Sequence, residues 1–370
     1  MGYSRIKYED IKRVVESVFQ KLGYSAENSV DIADIILEAD LRGIESHGVQ
    51  RLILYYSQTK SGLIKKEVRP EIIKETPVSA LIDGNAGSGQ ISSQFAMRIA
   101  IKKAKKNGMA IVTVRNSNHN GIEGYYASMA QKEGLLGMVM TNTEAIMVPT
   151  FGKRAMLGTN PIAVSISADP YPFLLDMATT VIPRGKLEVY IKKDAPVPLG
   201  WITDETGNVS QQAKTVNANI KNKVCSGILP LGGVGETLSG HKGYGLALMV
   251  EILTGIIGSG YTSNHCYGVT TPDVLPKNEV KTSHTFIVID YSMFGDKEEI
   301  EKHLSVYLKE LRDSEKADGQ DRIYTHGEKE AEIRKDRLQN GILSNDKTVG
   351  EIINICADLG IELPEIKAQD

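Results

Sequence analysis

Long apolar runs are missing from this 370-residue chain, and none approaches the roughly 20 residues needed to cross a bilayer, so no membrane partner is expected. An excess of charge of one sign is missing as well. With 43 Lys and Arg against 46 Asp and Glu, the formal net charge is −3, which offers phosphate backbones no long-range attraction and argues against nucleic acid as a partner. Cysteine is scarce: Cys225, Cys266 and Cys356 lie far apart without the paired spacing of a zinc site, and their odd number suits a reducing compartment. No disulfide framework and no metal site are expected. The seven histidines, at positions 47, 119, 241, 265, 284, 303 and 326, include no H-E-x-x-H or similar ligand pair. No G-x-S-x-G elbow for nucleophilic hydrolysis appears, nor a Walker A loop, nor a G-x-G-x-x-G run directly after a strand. Met1-Gly2-Tyr3-Ser4-Arg5 leads into a charged segment rather than an apolar leader, so a cytoplasmic location is expected.

What is present reads as an ordinary globular chain with a small-molecule partner. Hydrophobic residues at 41% and charged residues at 24% can bury a large core, and the length suggests two or three lobes. Apolar residues at helical period predict a helix from Tyr8 to Leu22, stopped by Gly23. A second follows Ser25 and stops at Gly43, and a third runs from Ser46 to about Gly62, which makes the start of the chain all-helical. After Pro70 strand and helix signals alternate. Strands are predicted over residues 78–84, 109–115, 135–141, 162–167, 173–177 and 284–290, and helices over 92–105, 122–132, 244–257, 297–312 and 329–339. Residues 109–141 form a β-α-β unit, and the apolar 244–257 helix packs on the sheet. The architecture is a central α/β body flanked by helices from both termini. Its divisions fall at residues 1–75, 76–295 and 296–370. The stretch from Gln211 to Cys225, rich in lysine and asparagine, is expected to be a loop.

Four stretches carry chemistry. In Ser46-His47-Gly48-Val49-Gln50-Arg51 and Tyr55, the residues His47, Arg51 and Tyr55 recur at i, i+4 and i+8 of the predicted helix, on one stripe. Arginine presents a fork that fits a carboxylate, histidine carries a proton near neutrality, and tyrosine adds a hydroxyl and a flat wall. The same residues also read as a Ser46-capped helix start with a solvated Arg51. Asn116-Ser117-Asn118-His119-Asn120-Gly121 lies where a strand gives way to a helix, the usual place for ligands in α/β sheets. His119 is an acid/base candidate there, or else a loop histidine satisfied by neighbouring amides. Asp176 ends a buried strand, where a carboxylate needs a partner, or it is a turn former. Gly240-His241-Lys242-Gly243-Tyr244-Gly245 opens the apolar helix, and glycines there let backbone N–H groups approach a phosphate.

Taken together, Ser46-His47-Gly48 with Arg51, Asn116-Ser117-Asn118-His119, Gly158-Thr159-Asn160-Pro161, Asp176-Met177-Ala178-Thr179, Gly185-Lys186, Pro198-Leu199-Gly200-Trp201 and Leu229-Pro230-Leu231-Gly232-Gly233 with Gly240 to Gly245 resemble the malate/L-lactate dehydrogenase family. That non-Rossmann group also holds sulfolactate, ureidoglycolate and diketogulonate-type dehydrogenases and cyclic-ketimine reductases. The resemblance spans nearly the whole chain. It implies a three-layer α/β/α fold with a mixed, about seven-stranded sheet, a homodimer, and hydride transfer between NAD or NADP and a small 2-oxo or 2-hydroxy acid. Malate and oxaloacetate come first; lactate, sulfolactate, ureidoglycolate or a cyclic ketimine are alternatives, and so is a catalytically silent dinucleotide-binding protein.

By the family's pattern the proton is moved by His47, supported by Ser46 and Asp176, or by His119, while Arg51 with Tyr55 holds the substrate carboxylate. The cofactor lies along Thr143, Asp176, Met177, Ala178, Thr179, Thr180, His241, Lys242, Gly327, Glu328 and Lys329. The resemblance makes residues 1–75 a substrate and dimer lobe packed with the C-terminal segment, and 76–295 the cofactor-binding body. One departure stands out: His326-Gly327-Glu328 replaces the Pro-Gly-Glu found in many relatives, at the last of those contacts.

Overall fold

The computed structural model describes residues 2–266 and 281–368. In chain order the first elements are β1 (Tyr3–Ile6), α1 (Tyr8–Leu22), α2 (Ala26–Leu41), α3 (Leu52–Lys60), β2 (Glu71–Thr76), β3 (Ser79–Asp83), α4 (Gly89–Asn107) and β4 (Met109–Ser117). Next come α5 (Glu123–Lys132), β5 (Leu136–Thr141), β6 (Ile162–Ile166), β7 (Phe173–Met177), α6 (Arg184–Lys192), β8 (Ile202–Thr203), β9 (Val209–Ser210), α7 (Ala213–Lys221) and β10 (Gly227–Ile228). The chain continues through α8 (Gly240–Glu251), β11 (Thr282–Ile289), α9 (Lys297–Asp313), α10 (Glu328–Asn340), β12 (Ile342–Asn345), α11 (Asp346–Leu359) and β13 (Ile366–Ala368).

Periodicity accounts for the first two helices. In α1 the buried Ile11, Val14, Val15, Val18 and Phe19 share one face, and Gly23 at φ 99° ends the helix in the left-handed conformation. Ser25 caps α2 by accepting the Asn28 N–H at 3.1 Å. The all-helical start is corrected by β1, which pairs antiparallel with β12 and β13, and by the edge strand β2. Partners some 340 positions away leave no local signal on four residues. A second correction concerns residues 211–225, where Ala213, Val216 and Ile220 bury one face of α7. Its spacing is helical; the lysines and asparagines lie mostly on the solvent side.

The main sheet has seven strands in the order β2-β3-β4-β11-β5-β6-β7. Among the described residues only β3 and β4 pair in parallel as neighbours, with α4 as their crossover, so the sheet is mixed as the resemblance implies. The expected β4-α5-β5 unit exists with β11 inserted between its two strands. Alternation along β11 creates the layers. Phe286 faces Tyr126 of α5, their rings 5.9 Å apart, while the next residue back, Thr285, donates to the Leu253 carbonyl at 2.6 Å on the other face. Leu253 belongs to a π-helical turn, Ile252–Ile256, that continues α8, so the expected 244–257 helix changes pitch after Glu251.

The same topology sets the carboxyl end of β4 against the start of α4. A Cβ at Gly89 would lie 2.1 Å from the Asn118 carbonyl oxygen and 2.5 Å from that of His119, so only glycine allows this approach. Because both obstacles are backbone, Gly89→Ala should destabilise the protein by about 1–3 kcal/mol. A thermal midpoint equal to that of the unaltered protein would rule out this close contact.

Candidate active site

The helix expected from Ser46 does not form as one piece. Two short 3₁₀ turns, Glu45–His47 and Val49–Arg51, precede α3, and the break falls at Gly48, whose ψ of −146° is far from helical. Asp40 causes it. Its buried carboxylate accepts the Val49 N–H at 2.7 Å and fills the space a Gly48 side chain would need, 2.0 Å from an ideal Cβ. From α10, Arg337 braces the same turn, donating to the Asp40 carbonyl at 2.5 Å and to the Glu45 carboxylate at 2.8 Å.

The broken turn still gathers the expected residues, by a different route from a helical stripe. The His47 and His119 rings stack at 5.5 Å with 23° between planes, and Ser46 Oγ lies 2.9 Å from His47 Nδ1. Tyr55, in the first turn of α3, places its hydroxyl 2.6 Å from His119 Nδ1. Arg51 donates Nε to the Ser46 carbonyl at 2.6 Å, which leaves its two terminal nitrogens for other work. His47, His119 and Arg51 are half-buried. Burial, then the Arg51 charge, pushes His47 down to about 4. Burial also holds His119 well below its ordinary value, with His47, Arg51 and His284 adding to the effect. At neutral pH both rings are therefore uncharged.

The His119 loop rests on amides and on a buried polar chain beneath it. Asn118 donates to the Ala86 and Gly87 carbonyls at 3.0 and 2.8 Å, and Asn120 donates to Ser93 and to Glu123. Under the loop, Thr141, His284, Ser117 and Ser92 are linked in sequence at 2.8, 2.9 and 2.8 Å. Burial pushes His284 down to about 3 and Glu123 up to about 8. None of Asp40, Glu123, His284 or Arg337 was among the expected site residues. Asp40 had a signal: it shares the helical spacing of buried Ala33, Ile36 and Leu37. His284 had one too, as a histidine inside a β-branched strand.

Asp176 is placed differently from the expectation that it supports His47. Its carboxylate accepts the Gly124 N–H at 2.8 Å, with the charge of Arg42 beside it, and burial raises it to about 6. Met177 and Ala178 follow, half-buried, at the end of β7. Thr179 donates to the Thr159 carbonyl at 2.9 Å, and Thr143 Oγ accepts the Thr159 N–H at 2.9 Å, so these three threonines are adjacent. Thr180 turns inward to the Ile182 carbonyl. The Leu231 N–H donates to the Thr179 carbonyl at 2.8 Å, and Gly232 packs on Ser239, which brings the start of α8 with exposed His241 and Lys242 alongside. Gly327 precedes α10 at φ 100°, and the Glu328 carboxylate is used within its own turn, accepting the Thr325 N–H at 2.8 Å and an Arg322 nitrogen at 3.2 Å. Lys329 lies 4.3 Å from the Tyr324 ring centroid.

The family model for malate/L-lactate dehydrogenases matches residues 6–353. A malate dehydrogenase from Pyrococcus abyssi is 43% identical, over 99% of this chain and 98% of that protein. An L-sulfolactate dehydrogenase from Methanocaldococcus jannaschii is 36% identical, over 97% of this chain and 98% of that protein. A malate dehydrogenase crystal structure from Entamoeba histolytica superposes with a TM-score of 0.94 at 34% identity, covering 98% of this chain and 100% of the other.

Asp40 gives the site a measurable pH signature. Burial outweighs the Val49 bond and the Arg337 charge and lifts its carboxyl from 3.8 to about 8. The folded state therefore keeps a proton that the unfolded chain has lost, so this stabilisation is full below about pH 4 and is lost as pH rises through about 8. Asp40→Asn carries no such proton. Its thermal midpoint should fall less between about pH 5 and 8 than that of the native protein; parallel falls would mean that Asp40 is ionised in the fold.

Proposed function

The chain belongs to the malate/L-lactate dehydrogenase family, and from that premise we propose that it is an oxidoreductase moving a hydride between a nicotinamide cofactor, NAD or NADP, and a small 2-oxo or 2-hydroxy acid, with oxaloacetate and malate first. The observation that carries this reading is the stacked His47–His119 pair, both half-buried, with the half-buried Arg51 near enough for its charge to act on both rings. It offers a cation for a carboxylate and an imidazole for the proton, the two things this chemistry asks of the protein.

Arg51 binds the substrate carboxylate through its two terminal nitrogens, since Nε is held by Ser46. One histidine of the pair gives its proton to the substrate oxygen during reduction and takes it back during oxidation. Only one proton fits on the pair, because a charge on either ring disfavours a charge on the other. When bound, the nicotinamide supplies or accepts the hydride at the adjoining carbon. The residues at α8 fit a dinucleotide: the helix start has no side-chain cap, Lys242 and His241 are exposed on its first turn, and a Cβ at Gly245 would meet open space. The threonines at 143 and 179 adjoin that start and complete the proposed cradle.

The proposed location is the cytoplasm, and the proposed assembly is a homodimer. Support for the dimer comes from Leu246, Met249, Ile252, Ile256 and Ile257, apolar side chains exposed along α8 and the turn after it. Light scattering at micromolar concentration should give twice the chain mass of 40.5 kDa, and a mass equal to one chain would remove the dimer.

The activity is tested by following NADH and NADPH oxidation separately against oxaloacetate, pyruvate, sulfopyruvate, oxalurate and cyclic imines. Oxaloacetate should react fastest. Preference for sulfopyruvate would move the chain to the sulfolactate branch, and cofactor binding without turnover of any compound would leave a silent binding protein. Arg51→Lys should raise KM for the preferred acid on the order of tenfold with a smaller change in kcat, because it removes the fork. An unchanged KM would take the carboxylate away from Arg51.

A further inference from the structure

We infer that Tyr55 is a positioning residue for His119: its hydroxyl fixes the proton of the neutral ring on Nε2, so that His119 presents an N–H to the reacting oxygen, and Tyr55 does not itself hold the substrate carboxylate. The inference rests on the dehydrogenase reading only for what that N–H faces. The tautomer follows from hydrogen-bond chemistry alone.

Two groups converge on His119 Nδ1. The Tyr55 hydroxyl lies 2.6 Å from it, and the backbone N–H of Gly121 points at it from 3.3 Å. A backbone N–H can only donate, so Nδ1 must be the acceptor and carries no hydrogen; the hydroxyl, free to rotate, then donates to the same lone-pair side. A neutral imidazole with a bare Nδ1 has its proton on Nε2. The position of Tyr55 agrees with this role. Its side chain is 1% exposed and packs in the core cluster with Val49, Leu52 and Tyr24, whereas His47, His119 and Arg51 remain half-buried. A hydroxyl buried in that core and already given to His119 is poorly placed to meet a carboxylate in the pocket. The ring stands on the first turn of α3, tilted 47° to the imidazole at 5.8 Å, so a regular element holds the donor in place.

The consequence is a division between the two imidazoles. His119 enters the reaction as a hydrogen-bond donor that polarises the carbonyl oxygen and keeps its own proton, with its other nitrogen locked from behind, so the proton that is transferred is carried by His47. His47, whose ring among the described residues meets only the hydroxyl of Ser46 as a hydrogen-bond partner, can take either tautomer.

The test has a substrate-free part and a kinetic part. In the full-length protein with 15N-labelled histidine at neutral pH, the His119 signals, assigned by their loss in His119→Gln, should show a protonated Nε2 and a bare Nδ1. A protonated Nδ1 overturns the inference whatever the enzyme's activity. In Tyr55→Phe the two tautomers should become mixed. With the acid the enzyme turns over, kcat should then fall on the order of tenfold to a hundredfold while KM stays within about twofold. A rise in KM at unchanged kcat would instead make Tyr55 a carboxylate ligand and overturn the proposal. If Tyr55→Phe does not fold, or no acid is turned over, the spectrum of the unaltered protein still decides the tautomer, and the second case counts only against the dehydrogenase reading.

Discussion

The arrangement of the pocket depends on the burial of one carboxylate. Asp40 sits on the inner face of α2 among Ala33, Ile36 and Leu37, where an ionised group costs several kcal/mol unless it is matched. It is matched only in part, by one backbone N–H and the charge of Arg337, and it retains its proton as a result. That compromise has a structural return. The carboxyl group occupies the space beside Gly48 and breaks the helix that would otherwise run from Ser46, so His47 and Arg51 sit on a braced turn. A continuous helix would have spaced His47, Arg51 and Tyr55 evenly along one face. The broken turn folds Arg51 back onto Ser46 and brings His47 onto His119 instead.

His119 reaches the same place from the other side of the protein, at the end of β4, and its support is of a different kind. Besides the buried Ile122, its loop is held by the Asn118 side-chain amide capping the carbonyls of residues 86–87 and by the close approach of Gly89. Beneath it the Thr141–His284–Ser117–Ser92 chain satisfies polar groups that would each cost on the order of 1–3 kcal/mol if left unpaired. Burial alone keeps His284 neutral, which suits a ring whose two nitrogens both lie against hydroxyls. The two supports are joined by the Tyr55–His119 bond, a link between a helix of the first 75 residues and a loop of the main sheet.

Much of this was legible in the sequence wherever the signal was local. The periods of α1, α2, α4 and α5, the apolar strands β3 to β7 and β11, and the residue types gathered at His47, Arg51 and His119 were all read from short local windows. The losses share one cause, dependence on distant partners. β1 is four residues that become a strand only because β12 and β13 arrive from the far end of the chain. Gly48 looks like any glycine in a helical window until Asp40 is set against it. Asp176 ends a strand as expected, but whether it faces an imidazole or the Gly124 amide is decided by how α5 lies across β7. Composition misled at residues 213–221, where lysine and asparagine outweighed the three apolar positions that define α7.

Electrostatics ties the pieces to the chemistry. Burial lowers the proton affinity of both imidazoles and the Arg51 charge adds to it, so the cation proposed to attract a carboxylate also works against a proton on either ring. An anion paired with Arg51 cancels that effect, and what then remains against protonation is burial, the mutual repulsion of two stacked rings and, for His119, the distant His284. In the proposed reaction, substrate binding and proton uptake would thereby be coupled through one guanidinium: a carboxylate on Arg51 would make the acid form of the pair less costly. A hydroxy acid meets the opposite requirement, since its oxidation needs a neutral base, and the resting site already supplies one. Placing the cation next to the imidazoles, with Nε anchored to the Ser46 carbonyl, would therefore serve the proposed binding and protonation together.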